Sequence, residues 1–84
     1  MQTIVSLDVG TSVIKCVLFD TKFNQIKIFS VNNVVSYDKL GHSEISMNKL
    51  WLLCRNLLIK SFKYSKKSKL KVITIGITAN MVGL

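Results

Sequence analysis

Along this chain the spacing of apolar positions changes from two to three-and-four and back to two. Thr3 to Asp8 (Thr-Ile-Val-Ser-Leu-Asp) is rich in β-formers, and Val13 to Phe19 follows after a turn short enough to predict an antiparallel hairpin. In the second run Val13, Lys15, Val17 and Phe19 share one face and Ile14, Cys16 and Leu18 the other, so both faces are expected to be mostly buried. Asp20 to Asn24 is a polar turn of the kind that holds a hairpin loop. A third strand is predicted over 25–35, with Ile26, Ile28 and Ser30 alternating with Lys27, Phe29 and Val31. Tyr37 to Ser46 has no periodicity and reads as a connecting loop.

The period then lengthens. Met47, Leu50, Trp51, Cys54, Leu57, Leu58 and Phe62 follow the spacing of a core-facing helical stripe, predicting a helix over 47–64. Asn48, Lys49, Arg55, Asn56, Lys60 and Lys63 fall largely off the stripe, and lysines toward the C-terminus suit the helix dipole. Ser65 to Lys69 reads as a basic loop, and Lys71 to Thr78 as a β-branched fourth strand. Strand, helix, strand in this order implies a right-handed parallel crossover. The fourth strand then lies beside the first, and the α/β sheet order is 3-2-1-4.

Composition limits what such a sheet can belong to. Eighty-four residues make one small domain, which buries about 60 to 65 percent of its unfolded surface, and a two-domain enzyme does not fit. The chain is 49% hydrophobic with no proline and four glycines, and its mean hydropathy of +0.38 is that of a globular core. Its apolar runs are too short to span a bilayer, and residues 1–20 lack a basic segment followed by an apolar block. A cytoplasmic protein without a membrane partner is expected. Cys16, in a strand, and Cys54, on the apolar face of the helix, have no zinc-like spacing and read as buried reduced thiols.

Charge is unevenly distributed. The net charge is +8; all four acids lie at or before Glu44, and eight of the twelve basic residues lie between Lys49 and Lys71. Such asymmetry can serve nucleic acid or an anionic surface. Only Phe62 and Tyr64 interleave with the lysines, however, and the chain has a single arginine, Arg55, so a solvated helix end is expected instead of a nucleic-acid partner.

The candidate chemistry lies in Asp8-Val9-Gly10-Thr11-Ser12-Val13-Ile14-Lys15. A nucleotide's phosphate tail needs backbone N–H groups at close range, hydroxyl donors, and a carboxylate for hydrated Mg²⁺. Gly10 permits a tight turn and close approach. Thr11 and Ser12 offer hydroxyls and amides, Asp8 ends the first strand where a metal-bound water can reach it, and Lys15 is a point charge for phosphate.

These residues, Asp-x-Gly-Thr-Ser-x-x-Lys followed by Val17-Leu18-Phe19-Asp20, resemble the first phosphate motif of the FGGY carbohydrate kinases, of the actin and hexokinase superfamily. Two further stretches fit the same pattern in order. Gly41-His42-Ser43-Glu44, then Ser46 and Trp51, resembles the family's Gly-Trp-x-Glu-Gln-Asp-Pro-x-x-Trp-Trp segment, with His42 in place of tryptophan and Ser46, a possible helix N-cap, in place of aspartate. His42 itself reads as a surface loop residue. Ile75 to Leu84 resembles the family's Ile-Gly-Ile-Ser/Thr-Gly-Gln-Met-His-Gly-Leu.

The resemblance implies a ribonuclease H-like, actin-like ATPase fold, of which residues 1–84 would be the N-terminal part of the first domain. It implies ATP and Mg²⁺ as cofactors, with Asp8 on the metal through water and Gly10, Thr11, Ser12 and Lys15 on the phosphates. A sugar or polyol substrate would meet Asn80, Met81 and Val82. Val82 departs from the xylulokinase-like histidine, and an apolar residue cannot hydrogen-bond a sugar hydroxyl. The catalytic aspartate is expected beyond residue 84, so the 84-residue chain alone is expected to be inactive. The rest of a kinase polypeptide is its natural partner, and the isolated chain is expected to self-associate through an uncovered apolar face. Two rival readings are a ribonuclease H-like nuclease fragment, which needs clustered carboxylates though no acid follows Glu44, and a non-enzymatic basic binding remnant.

Overall fold

The computed structural model describes residues 1–33, 36–37, 43–44 and 47–80. Three strands run antiparallel in succession: β1 (Gln2–Gly10), β2 (Val13–Asp20) and β3 (Gln25–Asn32). Short strands β4 (Ser36–Tyr37) and β5 (Ser43–Glu44) pair with each other, where the sequence had suggested only a loop. Two residues a side carry no readable alternation, which is why the pattern misses them. Helix α1 (Met47–Lys67) leads to β6 (Lys71–Asn80), parallel to β1. The sheet order β3-β2-β1-β6 is the expected 3-2-1-4, with the expected parallel pair.

Period-two alternation explains the core. On β1, Thr3, Val5, Leu7 and Val9 are buried under α1, and on β2 Ile14, Cys16 and Leu18 are buried beside them. Leu50, Cys54 and Leu57 of α1 complete one cluster, flanked by Phe29, Val31, Leu53 and Tyr64. Truncating a residue such as Ile14 or Leu57 to alanine removes about 2 to 5 kcal/mol, a large part of a small domain's total of about 5 to 15 kcal/mol. The other face of β2 is not mostly buried as expected: Val13, Val17 and Phe19 are half-buried and Lys15 is exposed. One helix covers one face.

The helix also sits differently from its predicted stripe. Trp51 is 64% exposed and Phe62 40%, whereas Ser61 and Ser65 are buried. The lower half of α1 lies too close to β2 for large side chains: Ser61 Oγ is hydrogen-bonded to Cys16 Sγ at 2.9 Å and also reaches the Leu57 carbonyl at 2.9 Å. Ser65 Oγ donates to the Ser61 carbonyl at 2.8 Å. Small hydroxylated residues therefore continue the buried line, and hydrophobicity alone points to the wrong neighbours. At the rim, Phe29 and Tyr64 meet edge to face at 5.9 Å, with Lys27 Nζ 5.6 Å from the Phe29 ring centre.

Helix α1 runs one turn further than predicted because its end is capped by the backbone. Leu70 N donates to Ser65 O at 2.8 Å and Lys69 N to Lys66 O at 3.3 Å, with Lys69 at φ 57°. This is the Schellman arrangement, with lysine where glycine is usual. Arg55, Lys60, Lys63, Lys66 and Lys67 are exposed along the helix, consistent with a solvated basic face. Among the described residues no helix is long and apolar enough to cross a membrane.

At the far hairpin end, Asp20 organises the β2–β3 turn. Its carboxylate accepts from Lys22 N at 2.8 Å, Asn24 N at 2.9 Å and Asn24 Nδ2 at 3.0 Å. These bonds, those from Asn24 foremost, hold the Asp20 carboxyl below the usual aspartate range. Asp20 is thus a turn residue.

Candidate functional site

The site is built where β1 and β6, running parallel, reach their carboxyl ends beside the β1–β2 turn. Asp8 is in register with Lys15 on β2 and with Thr78 on β6. Because in-register side chains share a face, the row Lys15–Asp8–Thr78 lies on the sheet face opposite α1. All three residues are exposed. Lys15, read from the sequence as a point charge for phosphate, stands directly across from Asp8.

One step further, Gly10 is in register with Asn80. Thr11 and Ser12 form the exposed bend between β1 and β2. A Cβ added at Gly10 would lie 2.8 Å from the Val13 carbonyl oxygen. The turn therefore requires glycine for its own backbone approach, in line with the tight turn and close approach read from the sequence.

Asn33, which sequence reasoning passed over, fastens this turn from the end of β3. Its Nδ2 donates to the Gly10 carbonyl at 2.8 Å, and its backbone N–H donates to the Ser12 carbonyl at 2.8 Å. Its Oδ1 is buried without a hydrogen-bond partner among the described residues. The available signal was the polar pair Asn32-Asn33 closing an alternating strand.

The donor set suits phosphate and a hydrated cation: two exposed hydroxyl residues, a carboxylate and an ammonium group surround a turn closed to side chains. A cavity of about 330 Å³ lies elsewhere, between Val31 of β3 and Leu53, Leu57 and Lys60 of α1, on the opposite side of the sheet from Asp8. Cys16 and Cys54 are both free and buried, as expected, and burial pushes both thiols above their ordinary pKa. Among the described residues no three His, Cys, Asp or Glu side chains gather as a metal site. Gly41, His42, Ser46, Met81 and Val82 lie outside the described residues, so the expectations placed on them are untouched by this geometry.

Comparison with known proteins agrees with this fold. Residues 3–84 match the N-terminal domain of the FGGY family of carbohydrate kinases. A protein described as "Probable L-xylulose kinase" from Haemophilus influenzae is 29% identical over 83 residues, which is 99% of this chain and 17% of that protein. The Plasmodium falciparum glycerol kinase, solved with ADP, superposes with a TM-score of 0.81 at 28% identity, over 94% of this chain and 16% of its own. The ligand-bound xylulose kinase of Lactobacillus acidophilus gives 0.81 at 22% identity, over 96% and 16%, a likeness of fold. This chain spans only about a sixth of the length of these relatives.

Proposed function

The chain belongs to the FGGY family of carbohydrate kinases, and from that premise we propose that it supplies the phosphate-binding start of an enzyme transferring the γ-phosphoryl group of ATP to a sugar or polyol hydroxyl. The observation that carries the reading is the row Lys15–Asp8–Thr78 beside the glycine-closed turn at Gly10. Phosphoryl transfer depends mostly on positioning and on neutralising charge. Mg²⁺, when bound, would supply that neutralisation.

The chain's own residues have separable parts in this reading. Asp8 would hold the cation through a water. Thr11 and Ser12 would present hydroxyls and amides to the phosphates, and Lys15 a mobile positive charge. Asn80, Met81 and Val82 form the proposed sugar-facing segment, and the pairing of Asn80 with Gly10 supports its nearness to the transferred group. With valine at position 82, a hydrogen bond to a sugar hydroxyl is lost there, which argues against simple pentulose preference. The group that accepts the substrate proton lies outside these residues, so the 84-residue chain alone is expected to show no turnover. A cytoplasmic site of action goes with an ATP-dependent sugar kinase.

A nuclease reading fits less well. Asp8 and Asp20 stand at opposite ends of the β1–β2 hairpin, since Thr3 is the partner of Asp20 and Lys15 that of Asp8. Five residues of strand put them about 17 Å apart, whereas paired catalytic metal ions sit about 3.5 to 4 Å from each other.

The test is sugar-dependent ADP formation by the native polypeptide that carries these residues, over a panel of pentuloses, hexonates and polyols. Turnover with one or more acceptors is expected. Absence of nucleotide binding, with or without sugar, would refute the reading.

A further inference from the structure

We propose that Asn33 is a positioning residue for the phosphate turn, setting the direction of the amides that phosphate would meet without touching phosphate itself. The inference rests on the nucleotide reading of that turn.

Asn33 lies just past β3, 23 residues from Gly10 in sequence, and holds the turn at two points. The side-chain Nδ2 takes the Gly10 carbonyl at 2.8 Å, and the main-chain N–H takes the Ser12 carbonyl at 2.8 Å. A trans peptide group is planar, with its C=O and N–H directed oppositely. Holding the Gly10 oxygen toward Asn33 therefore turns the Thr11 N–H away from it. The second bond fixes the Ser12–Val13 peptide plane in the same way. Between them, the Thr11–Ser12 bend has little freedom to rotate, although both residues are exposed. A glycine-flanked bend without such a tie would sample several peptide orientations, and each would have to be frozen when phosphate binds.

The orientation of the Asn33 amide follows from its partner. Only the NH₂ end can face a carbonyl oxygen, because the flipped amide would set two acceptors against each other. That choice leaves Oδ1 buried without a partner among the described residues, a penalty that an apolar residue in this place would not carry. The amide supplies the tie instead. Asn32, its neighbour, is exposed and paired with Val13 in the β2–β3 register, so it serves as an internal control.

The experiment compares Asn33→Ala and Asn32→Ala in the native polypeptide that carries these residues. Calorimetry measures Mg-ATP and sugar affinity, and hydrogen exchange follows the amides of residues 11–13. For Asn33→Ala, Mg-ATP binding is expected to weaken roughly tenfold, the cost of fixing about one residue's backbone again when phosphate binds. Exchange at the turn should rise, while sugar affinity and the thermal midpoint stay near those of the parent. Asn32→Ala should match the parent throughout. Unchanged nucleotide affinity and unchanged exchange in Asn33→Ala would overturn the proposal, as would an equal loss of sugar affinity and thermal stability. If the parent binds no nucleotide, the kinase reading fails, and the exchange measurement still decides whether Asn33 fixes the turn. Should the alanine variant not fold, Asn33→Asp, similar in shape but lacking the donor, carries the same exchange comparison.

Discussion

Asp8 and Lys15 are direct partners across the antiparallel β1–β2 pair, on the sheet face that α1 leaves open. Opposed Cα atoms in such pairs are about 5 Å apart, so the two side chains stand next to each other on the open face near the Gly10 turn. Both residues are exposed, and an exposed pair contributes only about 0 to 1 kcal/mol to stability. Their effect should therefore fall on catalysis. On the kinase reading, Asp8→Asn and Lys15→Ala in the native polypeptide that carries these residues are expected to lower turnover by about a hundredfold or more. Steady-state kinetics beside a thermal melt checks this, with melts shifting little.

Two glycines should respond in opposite ways to alanine. At Gly10 the new methyl would lie 2.8 Å from the Val13 carbonyl oxygen, a backbone atom that cannot swing aside, while at Gly76 nothing lies within 4 Å. Gly10→Ala is expected to cost about 1 to 3 kcal/mol and to weaken nucleotide binding. Gly76→Ala in the isolated chain should be neutral or slightly stabilising. Denaturant titration of the two variants side by side distinguishes them.

Lys69 ends α1 in the left-handed region at φ 57°. Glycine adopts that conformation without the Cβ penalty, so Lys69→Gly should stabilise the chain by roughly 0.5 to 1 kcal/mol. A lower denaturation midpoint would show that the lysine side chain has a role of its own.

The two thiols predict a pH dependence. Burial raises Cys16 and Cys54 above their ordinary pKa, with the Ser61 hydrogen bond opposing this at Cys16. The folded chain then holds these protons more tightly than the unfolded chain. Their contribution is fully present below the unfolded thiol pKa and is lost as pH rises through the folded values. Stability should fall on the alkaline side, above about pH 8.5, and less so in the Cys16→Ala, Cys54→Ala double variant. Thiol reagents at neutral pH should react only after denaturant is added.

Strand β6 predicts how the isolated chain behaves. Its register sets Ile75 and Ile77 beside the buried Val5 and Leu7, yet they are 45% and 67% exposed, because α1 lies over the other strands. An apolar strip on an edge strand favours association. Ile77→Lys is expected to move the 84-residue chain toward monomer in sedimentation velocity. No change in mass distribution would put the contact elsewhere.

Much of this was legible because alternation and helical spacing report burial directly. The four sheet strands, their order and the helix follow from that pattern, and the Asp8–Lys15 stretch stood out as a polar turn set between two apolar runs. The misses have physical causes. Trp51 and Phe62 looked like core because hydrophobicity carries no information about the distance between helix and sheet, and Ser61 and Ser65 fill a gap that only serine-sized groups fit. Asn33 was missed since its partner Gly10 is 23 residues away, and no local pattern encodes a side chain closing a distant turn. The roles assigned to Met81 and Val82 rest on resemblance alone.

The pairing of β1 on its two sides also sets an order of events in time. Its antiparallel partner β2 begins three residues after β1 ends, but its parallel partner β6 begins only at Lys71. At ribosomal speeds of about 5 to 20 residues per second, several seconds separate the emergence of the two partners. Throughout that interval the strand bearing Asp8 is an unpaired edge on a nascent chain, and its protection falls to whatever binds emerging polypeptide near the ribosome.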